Sequence, residues 1–470
     1  MKVLFCSAEI SPFAKTGGLG DVCGDLPLVL EKKGIEIAAV MPRYKCIDPK
    51  QYSLKKLSYN VSTTKIGKNI NVYFIENDYF FNRDGLYGDK HGGYGDSLDR
   101  FLFFCRRALE LPKQIGFKPD IFHCHDWHTT LIPAFLKFLY QDDPFYKKTK
   151  SILTIHNLAY QGTFPPWDFS KLGLPKELFN VQGIEFHGVV NLMKAGIIYC
   201  DELTTVSPGY AKEIQTDKLG CGLAGVIRQR KKPITGILNG LDYRVWDSRA
   251  DHSLAKPYSE KNLKGKLINK VVLQKRLNLK ASAETPLFGF VGRLTQQKGM
   301  DLLLQTMTDL AKMNLQAVFL GNGDYHYCQV FKSLAMKYPD KIAVELKFDE
   351  QLAHQIYAGS DMLLMPSVFE PCGLSQMIAL RYGTIPLVYK TGGLADTISP
   401  FNGKGGQGNG FVFNKYTKDA FLSTLKLAIK TYRNKIVFKK LVQKAFSYNF
   451  SWDQSAQKYV SLYRQCLKSA

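Results

Sequence analysis

Three short segments in the second half of the sequence hold residues that can bind phosphate. GRLTQQKG contains Arg293 and Lys298, five residues apart, so both cations can reach one pair of phosphates across a turn. FEPCG contains Glu370, and KTGGLADT, which begins at Lys390, offers backbone amides to an anion. Charged donors make the stronger hydrogen bonds to phosphate. Together the segments predict cations, amides and a carboxylate around one point.

The glycine-rich segment occurs twice. KTGGLGDV runs from Lys15 to Val22, and KTGGLADT runs from Lys390 to Thr397. Two close copies predict two similar folding units, each of which presents backbone amides to an anionic group. Neither copy is the G-x-G-x-x-G of dinucleotide-dependent dehydrogenases, and no acidic residue ends the second strand to hold a ribose. The segments therefore argue against a dehydrogenase.

The segment FHCHDWH, Phe122 to His128, is a candidate metal site. Side chains alternate along a strand, so His123 and His125 are expected on one face. Zinc takes four nitrogen, sulfur or oxygen ligands, and no fourth ligand stands at a suitable spacing. The ten cysteines are scattered singly, without a Cys-x-x-Cys pair, and we expect reduced thiols. The spacing therefore argues against zinc.

Alternating strands and helices must position these residues. In the first half, the apolar run Val3 to Cys6 leads into the loop SPFAKTGG, and apolar residues recur at helical spacing from Leu19 to Val29 before a strand at Ile35 to Val40. In the second half, apolar runs are each followed by a loop: LFGFVGRL, QAVFLGNG, KIAVELKF, DMLLMPS and TIPLVYK. This pattern predicts an α/β protein with two doubly wound domains. Ligands of such sheets bind beyond the carboxyl ends of the strands.

The boundary between the domains is predicted near GILNGLDYRVWD, Gly236 to Asp247, because a polar, lysine-rich and proline-containing stretch follows it. The predicted domains are residues 1–240 and 241–449, sizes that are plausible for such folds. Residues 450–470 form a predicted terminal helix that packs back toward the N-terminal domain.

Composition bounds the class of protein. With 470 residues and 45% hydrophobic content, the chain can bury large cores. Lysine and arginine number 63 against 41 acidic residues, a net charge of +22, but the lysines are spread along the chain. We therefore expect a solvated lysine-rich surface and no nucleic-acid partner, since no basic and aromatic face is clustered. Without a long apolar run or a leader-like N-terminus, we expect a cytoplasmic protein with no membrane partner.

Taken together, the motifs resemble those of the bacterial glycogen synthases and plant starch synthases. The resemblance covers essentially the whole chain through KTGGLGDV, HCHDWHTTL, TIHNLAYQG, TTVSPGYAKEI, GILNGLDYRVWD, GRLTQQKG, FEPCGLSQMIALRYGTIPLV and KTGGLADT. These are retaining glucosyltransferases with two Rossmann-like domains that face a deep cleft, the GT-B arrangement. The resemblance implies transfer of glucose from ADP-glucose to the nonreducing end of an α-1,4-glucan such as glycogen, with both glycine loops at the donor.

The resemblance also implies roles for individual residues. Its catalytic positions correspond to Glu370, Arg293, Lys298, Asp126 and His156. Its donor-binding positions correspond to Lys15, Gly18, Asp21, Asn239, Phe348, Cys372, Gly373, Gly392 and Gly393. Its acceptor-binding positions correspond to Tyr94, Trp127, Asn157 and Gln161. No Asp-x-Asp occurs in the chain, and the cations can replace the metal that other nucleotide-sugar enzymes use, so we expect neither a metal nor a cofactor.

Some of these roles are specific. The resemblance places the Asp126 carboxylate near the reacting centre, Trp127 as an aromatic face for an acceptor sugar, and His156 near glucose O6 and the phosphates. Phe348, which is predicted to end the strand KIAVELKF, corresponds to an aromatic residue that lies against adenine. The amides near Gly392 and Gly393 are expected to support the diphosphate.

Three features depart from the family pattern. Ile378 stands where the broader group of related transferases carries the second glutamate of a paired motif. The bacterial synthases that this sequence resembles also lack that glutamate. His187 stands where tyrosine is more common, and a glycine-rich segment precedes Phe411. Glu370 can be a nucleophile, as in retaining glycosidases, or it can hold sugar hydroxyls and steady positive charge. We favour the second role.

Two other functions fit parts of the pattern. One is a related retaining transferase that uses another donor or acceptor. The other is a catalytically inactive glucan-binding protein. The presence of Lys15, Arg293, Lys298 and Glu370 argues against the inactive protein.

Overall fold

The computed structural model describes residues 1–89, 92–403 and 407–468. The chain divides into two compact units: unit 1 consists of Met1–Gly240 and Trp452–Ala470, and unit 2 of Leu241–Ser451. The glycine-rich segment before Phe411 lies partly outside the described residues, at 404–406, and so do the last two residues of the predicted terminal helix.

Unit 1 is built on a mostly parallel sheet. Its central strands are buried on both faces and therefore read as continuous apolar runs, as in KVLFC, which is buried from Val3 onward. The pairing turns antiparallel at one edge, where Val61–Ile66 pairs with both of its neighbours. In sheet order the strands are Thr235–Gly236, Glu202–Thr205, Lys150–Ile155, Ile121–His125, Lys2–Cys6, Glu36–Pro42, Ile70–Ile75, Val61–Ile66 and Lys55–Ser58.

The order of these strands reverses between two neighbours, Lys2–Cys6 and Ile121–His125. On one side of this point lie the strands that follow Cys6 in the first part of the chain, and on the other side lie the later strands. In open parallel sheets, ligands bind beyond the carboxyl ends of the strands at such a reversal. The ends concerned here are Cys6 and His125, so the loops that follow them are the candidate site of unit 1.

Helices flank the sheet of unit 1. The C-terminal helix carries a buried tyrosine, Tyr463, whose hydroxyl lies 2.8 Å from His123 Nδ1 on the central strand. Short antiparallel pairs complete the unit: Gly88–Asp89 with Gly92–Gly93, and Val189–Asn191 with Thr163–Phe164 and Glu185–Phe186. The helices are Gly18–Lys32, Asp78–Phe81, Ser97–Ile115, Leu131–Phe138, Leu192–Tyr199, Pro208–Glu213, Ala224–Arg228 and Trp452–Lys468, with 3₁₀ turns at Trp127–Thr129, Pro166–Leu172 and Lys176–Leu178.

Unit 2 contains a wholly parallel sheet. In sheet order the strands are Ile342–Glu345, Gln316–Leu320, Leu287–Val291, Met362–Met365, Ile385–Tyr389 and Phe411–Phe413. Numbered along the chain this is the order 3-2-1-4-5-6 of a Rossmann fold, which confirms the doubly wound architecture predicted for this half. The reversal lies between Leu287–Val291 and Met362–Met365, which pair directly. The loops after Val291 and Met365 are therefore the candidate site of unit 2.

The helices of unit 2 follow its strands as the sequence pattern indicates. They are Lys264–Arg276, Met300–Lys312, Tyr325–Lys337, Glu350–Gly359, Ser375–Arg381, Gly392–Thr397, Lys418–Arg433 and Lys435–Ala445, with a 3₁₀ turn at Gln296–Lys298. Within the described ranges, every helix is too short or too polar to cross a membrane.

Two predictions need correction. The strand KIAVELKF ends at Glu345 and does not reach Phe348, because Asp349 caps the next helix by accepting a hydrogen bond from the Leu352 amide, and the chain turns before it. The expectation of a solvated lysine-rich surface does not extend to Lys194, Lys266 and Lys270, which are buried. Lys266 Nζ donates to the carbonyl oxygens of Ala358 and Tyr382 and to the Thr384 hydroxyl, while Lys270 pairs with Asp361 at 2.7 Å, so each of these two buried ammonium groups has polar partners.

Candidate active site

In unit 2, the loops at the strand reversal bring a lysine and a glutamate into contact. Lys298 follows the strand Leu287–Val291, and Glu370 follows the adjacent strand Met362–Met365. Lys298 Nζ lies 2.6 Å from Glu370 Oε2, and the side chain of Glu370 is only 7% exposed. The sequence predicted both residues near the donor but did not predict that they pair with each other.

A serine completes this pair, and sequence reasoning missed it. Ser367 Oγ donates to the same Oε2 of Glu370 at 3.0 Å. The lysine loop approaches closely because Gly299 has φ of 82°, and a Cβ there would lie 2.0 Å from the Pro366 carbonyl oxygen. The position of Ser367, directly after a buried strand and three residues before Glu370, is the signal that would have identified it.

The second glycine loop packs onto the glutamate loop. The Gly393 amide donates to the Glu370 carbonyl oxygen at 3.0 Å, and the Gln376 side-chain amide donates to the carbonyl oxygens of Cys372 and Gly373. The Gly393 amide hydrogen therefore has an acceptor inside the unit, and its predicted role in anion binding stays a prediction. Gly392 is buried beside it.

The remaining donor candidates of unit 2 are exposed. Arg293 lies in the loop that follows Leu287–Val291 and is exposed to solvent. The Phe348 ring is 80% exposed, an unusual state for a large apolar side chain. Both side chains are therefore accessible to a ligand beside the strand reversal.

In unit 1, an aspartate and a histidine meet beyond adjacent strands. Asp126 follows Ile121–His125, and His156 follows Lys150–Ile155. Asp126 Oδ1 accepts hydrogen bonds from the backbone amides of His156, at 2.7 Å, and Asn157, at 3.4 Å. Burial raises the pKa of Asp126 to about 7, although both amides favour the charged form. Its φ of 55° is uncommon for a residue other than glycine, and such conformations cluster at functional sites.

The neighbouring histidines are neutral at pH 7. Burial lowers the pKa of His123 and of His156 to about 3 and holds that of His125 well below its usual value. The rings of His123 and His125 are 4.2 Å apart between centroids, which confirms that they share one face of the strand. His125 Nδ1 lies 3.0 Å from His156 Nε2, whereas His123 Nε2 bonds to Thr154 at 2.7 Å.

Three of the acceptor candidates have partners within unit 1. The Trp127 ring packs against Phe101 and over Gly162, where a Cβ would lie 2.3 Å from the indole. The Gln161 side chain donates to the Cys221 carbonyl oxygen and accepts from Asn191. The Tyr94 hydroxyl donates to the Asp84 carbonyl oxygen, and its ring lies against the guanidinium groups of Arg83 and Arg100.

The first glycine loop leads into the helix Gly18–Lys32. A buried glutamate that sequence reasoning missed accepts hydrogen bonds from this loop. The Glu9 carboxylate accepts from the Thr16 amide at 2.6 Å and the Thr16 hydroxyl at 2.7 Å. The Tyr87 hydroxyl also donates to it, at 2.6 Å, and burial raises the pKa of Glu9. Only its position soon after the first strand signals this role.

Three of the predicted donor residues of unit 1 lie in or beside the exposed loop, and the fourth is buried. Lys15 Nζ is 3.1 Å from Asp21 Oδ1, and Gly18 is exposed. Asn239 is buried, and its Oδ1 has no hydrogen-bond partner within the described part of the chain. An unpaired buried acceptor is costly, which makes Asn239 a candidate for binding a ligand hydroxyl.

Comparison with known proteins agrees with this geometry. The family described as starch synthase catalytic domain matches residues 2–229, and the family described as glycosyl transferases group 1 matches residues 274–444. Glycogen synthases of Alkaliphilus metalliredigens and Thermotoga maritima are 45% and 42% identical to this chain, and each comparison covers 99% of both chains.

Solved structures show the same relationship. The catalytic domain of starch synthase IV from Arabidopsis thaliana, determined with ADP and acarbose bound, is 35% identical, with a TM-score of 0.92 over 99% of both chains. The sucrose-phosphate synthase of Thermosynechococcus elongatus is 16% identical over 100% of both chains, and its TM-score of 0.64 shows a shared fold. The chain belongs to the glycogen synthase family of glycosyltransferases. This confirms the resemblance, the fold class and the enzyme class indicated by the motifs.

Proposed function

We propose that this protein transfers glucose from ADP-glucose to the nonreducing end of an α-1,4-glucan with retention of configuration. The observation that carries the proposal is the Lys298, Glu370 and Ser367 cluster at the strand reversal of unit 2, in a chain 45% identical to a glycogen synthase. The starch synthase structure of the same fold binds ADP and acarbose, which supports an adenine nucleotide and a glucan-like ligand.

The cations of unit 2 suit the leaving group. Departure of ADP places negative charge on the β-phosphate, and fixed positive groups stabilise charge as it develops. Lys298 has three ammonium hydrogens and uses one on Glu370, so it can donate to a phosphate oxygen at the same time. Arg293 supplies a second cation, and we propose that the reaction needs no metal. The exposed Phe348 ring offers a stacking face for adenine.

The environment of Glu370 favours charge stabilisation over nucleophilic attack. Lys298 and Ser367 both bind Oε2, and such hydrogen bonds reduce the electron density that a nucleophile needs. We propose that Oε1 accepts from sugar hydroxyls while the carboxylate steadies positive charge on the anomeric carbon. The acceptor then attacks on the same face, and the departing phosphate takes its proton.

We propose that unit 1 binds sugars with neutral groups and binds the donor through its first loop. Because His156 is neutral at pH 7, it acts as a hydrogen-bonding partner of a glucose hydroxyl or phosphate oxygen and not as a cation. Asp126 lies 2.7 Å from the His156 amide and orients this segment. Lys15, with Gly18 and Asp21, is proposed to bind the donor, and Trp127 to face the acceptor.

Transfer assays with glycogen and with ADP-glucose or UDP-glucose test the proposal. Lys298→Ala and Arg293→Ala are each expected to lower turnover by about a hundredfold, the usual loss of one charge-stabilising donor. Lys347→Ala, which removes an exposed lysine paired with Glu345 and Asp349, is the matched control and is expected to retain turnover. Normal turnover in either site variant removes that residue from the mechanism, and a preference for UDP-glucose refutes the proposed donor.

The role of Glu370 has its own test. Glu370→Gln is expected to retain a small part of the activity, because the amide keeps one acceptor oxygen. A nucleophile would form a covalent glucosyl bond when acceptor is withheld. Mass spectrometry of the wild-type enzyme with ADP-glucose alone is expected to show no glucosyl mass on the peptide that contains Glu370. Detection of that mass would establish the nucleophilic role.

A further inference from the structure

Three buried side chains in unit 1 form a group that the sequence spacing did not reveal. Cys23 lies on the helix after the first glycine loop, His125 is the last residue of its strand, and His156 follows the neighbouring strand. One ligand atom from each residue lies within 4.8 Å of the other two. All three residues are buried. Because three separate elements supply them, no local motif connects them.

The distances suit a tetrahedral metal after small movements of the three side chains. His125 Nδ1 and His156 Nε2 are 3.0 Å apart. Ligand atoms around zinc, with bonds of about 2.1 Å to nitrogen and about 2.3 Å to sulfur, lie roughly 3.4 to 3.6 Å from one another. The two nitrogens therefore need to separate slightly, and the sulfur needs to approach by about 1 Å, the scale of a small side-chain rotation.

The surroundings favour a cation. The Nε2 atom of His125 is buried and has no hydrogen-bond partner among the residues the structure describes, so no second bond holds this ring. Asp126 directly follows His125, and its Oδ1 accepts from the His156 amide at 2.7 Å, so an acidic side chain lies beside two of the three candidate ligands. A bound divalent cation stabilises the thiolate that it binds.

We propose that Cys23, His125 and His156 bind a thiophilic divalent cation such as zinc, and that the bound ion inhibits glucose transfer by holding His156. Binding replaces the Cys23 proton, which leaves to solvent, and water fills the fourth position. A thiolate and two imidazoles select zinc over magnesium or calcium. The inhibition rests on the function proposed for His156, whereas the metal site does not depend on it.

Titration of metal-free protein with Co²⁺ tests the site directly. Wild type is expected to develop a thiolate-to-cobalt charge-transfer band in the near ultraviolet that saturates at one equivalent. Cys23→Ala is expected to lack this band. Cys105→Ala, which changes another buried thiol on the helix Ser97–Ile115, is the matched control and is expected to keep it. Absence of the band in wild type would overturn the proposal.

Zinc inhibition tests the consequence. Wild type is expected to lose transfer activity with added Zn²⁺ but not with Mg²⁺. Cys23→Ala is expected to retain its basal activity and to need more than about a hundredfold more zinc, since even changes around a ligand cost about 10- to 100-fold in metal affinity. Equal zinc sensitivity in both proteins would place the inhibition at another thiol, such as the exposed Cys46 or Cys221, and would refute the proposal.

The two measurements separate the metal site from the proposed function. A protein that shows the cobalt band but no transfer activity without zinc would support the site and refute the proposed function. If Cys23→Ala does not fold, Cys23→Ser replaces it, because a neutral hydroxyl does not substitute for a thiolate ligand. A cobalt band in Cys23→Ser equal to that of wild type would overturn the assignment.

Discussion

The two KTGGL loops share their first five residues and each opens a helix, yet their surroundings differ. In unit 1, Thr16, Gly17 and Gly18 are exposed, and a Cβ on Gly17 would meet nothing within 4 Å. In unit 2, the corresponding residues are buried, and a Cβ on Gly393 would lie 2.0 Å from the Cys372 carbonyl oxygen. One segment is therefore an open loop and the other is packed.

The groups that hold the two loops also differ. In unit 1, a side-chain carboxylate, that of Glu9, accepts the Thr16 amide. In unit 2, a backbone carbonyl, that of Glu370, accepts the Gly393 amide. Both acceptors follow a strand beside the reversal of their sheet. The amides are not at equivalent positions, because Gly393 corresponds to Gly18 and Thr16 to Thr391. The same loop sequence is therefore held through different amides by different chemical groups.

The largest expected effect separates the packed loop from the open one. Gly393→Ala is expected to lose about 3 kcal/mol of unfolding free energy or more, and with it transfer activity, because the new methyl group must displace backbone. Gly17→Ala is expected to change stability by less than about 0.5 kcal/mol, since its φ of −170° suits any residue. Urea unfolding measures both. Equal losses would show that the two loops are packed alike.

The next effect concerns the lysines that begin the two loops. Lys15→Ala is expected to lower turnover by about a hundredfold, as loss of one charged donor to the leaving group does. Lys390→Ala, at the same position of the packed loop, is expected to stay within about twofold, because this side chain is exposed and surface changes have small effects. Steady-state transfer assays compare them. A reversed ranking would assign donor binding to the packed loop.

A smaller effect tests the acceptor beneath the open loop. Glu9→Gln is expected to lower transfer about tenfold, which corresponds to about 1.4 kcal/mol, because it weakens charge-assisted bonds to Thr16 and Tyr87. Glu31→Gln is the control, since Glu31 also accepts two backbone amides, those of Lys68 and Asn69, away from this loop. Equal activity losses in both variants would show that the contact of Glu9 with the open loop is not the cause of the loss.

The smallest effect is a difference in acid stability. Burial lowers the pKa of His128 to about 3, below the usual histidine value of about 6.5, so below pH 6.5 the unfolded chain binds the proton and the native state does not. Protonation of this histidine in the unfolded chain therefore lowers the free energy of unfolding progressively as the pH falls from 6.5 toward 3, and has little effect well above pH 6.5. His128→Phe is expected to gain about 1 kcal/mol relative to wild type between pH 6.5 and 5.5.

Urea midpoints at several pH values check this prediction. His252→Gln, which changes an exposed histidine of unit 2, is the control and is expected to show no such change with pH. If His128→Phe and His252→Gln respond to pH in the same way, the neutral buried histidine of unit 1 does not contribute to acid sensitivity.

Much of the fold followed from local signals. Apolar runs followed by glycine-rich turns identified strands such as Lys2–Cys6 and Leu287–Val291, because strand and turn preferences act over a few residues. The end of the strand at Glu345 was missed because the cap of the next helix ended it. The buried lysines were missed because partners such as Asp361 lie far away in sequence.

The sequence by itself determined which loops carry cations, a carboxylate and glycines, since residue type and its place after a strand are local properties. Only the tertiary structure decided their partners. Lys298 and Glu370 are separated by 72 positions, and they meet because their strands are neighbours at the reversal of the sheet. Cys23 joins two histidines because the strands that precede these three residues are neighbours in the sheet of unit 1. Strand order in a parallel sheet arises from long-range pairing, which no short segment encodes.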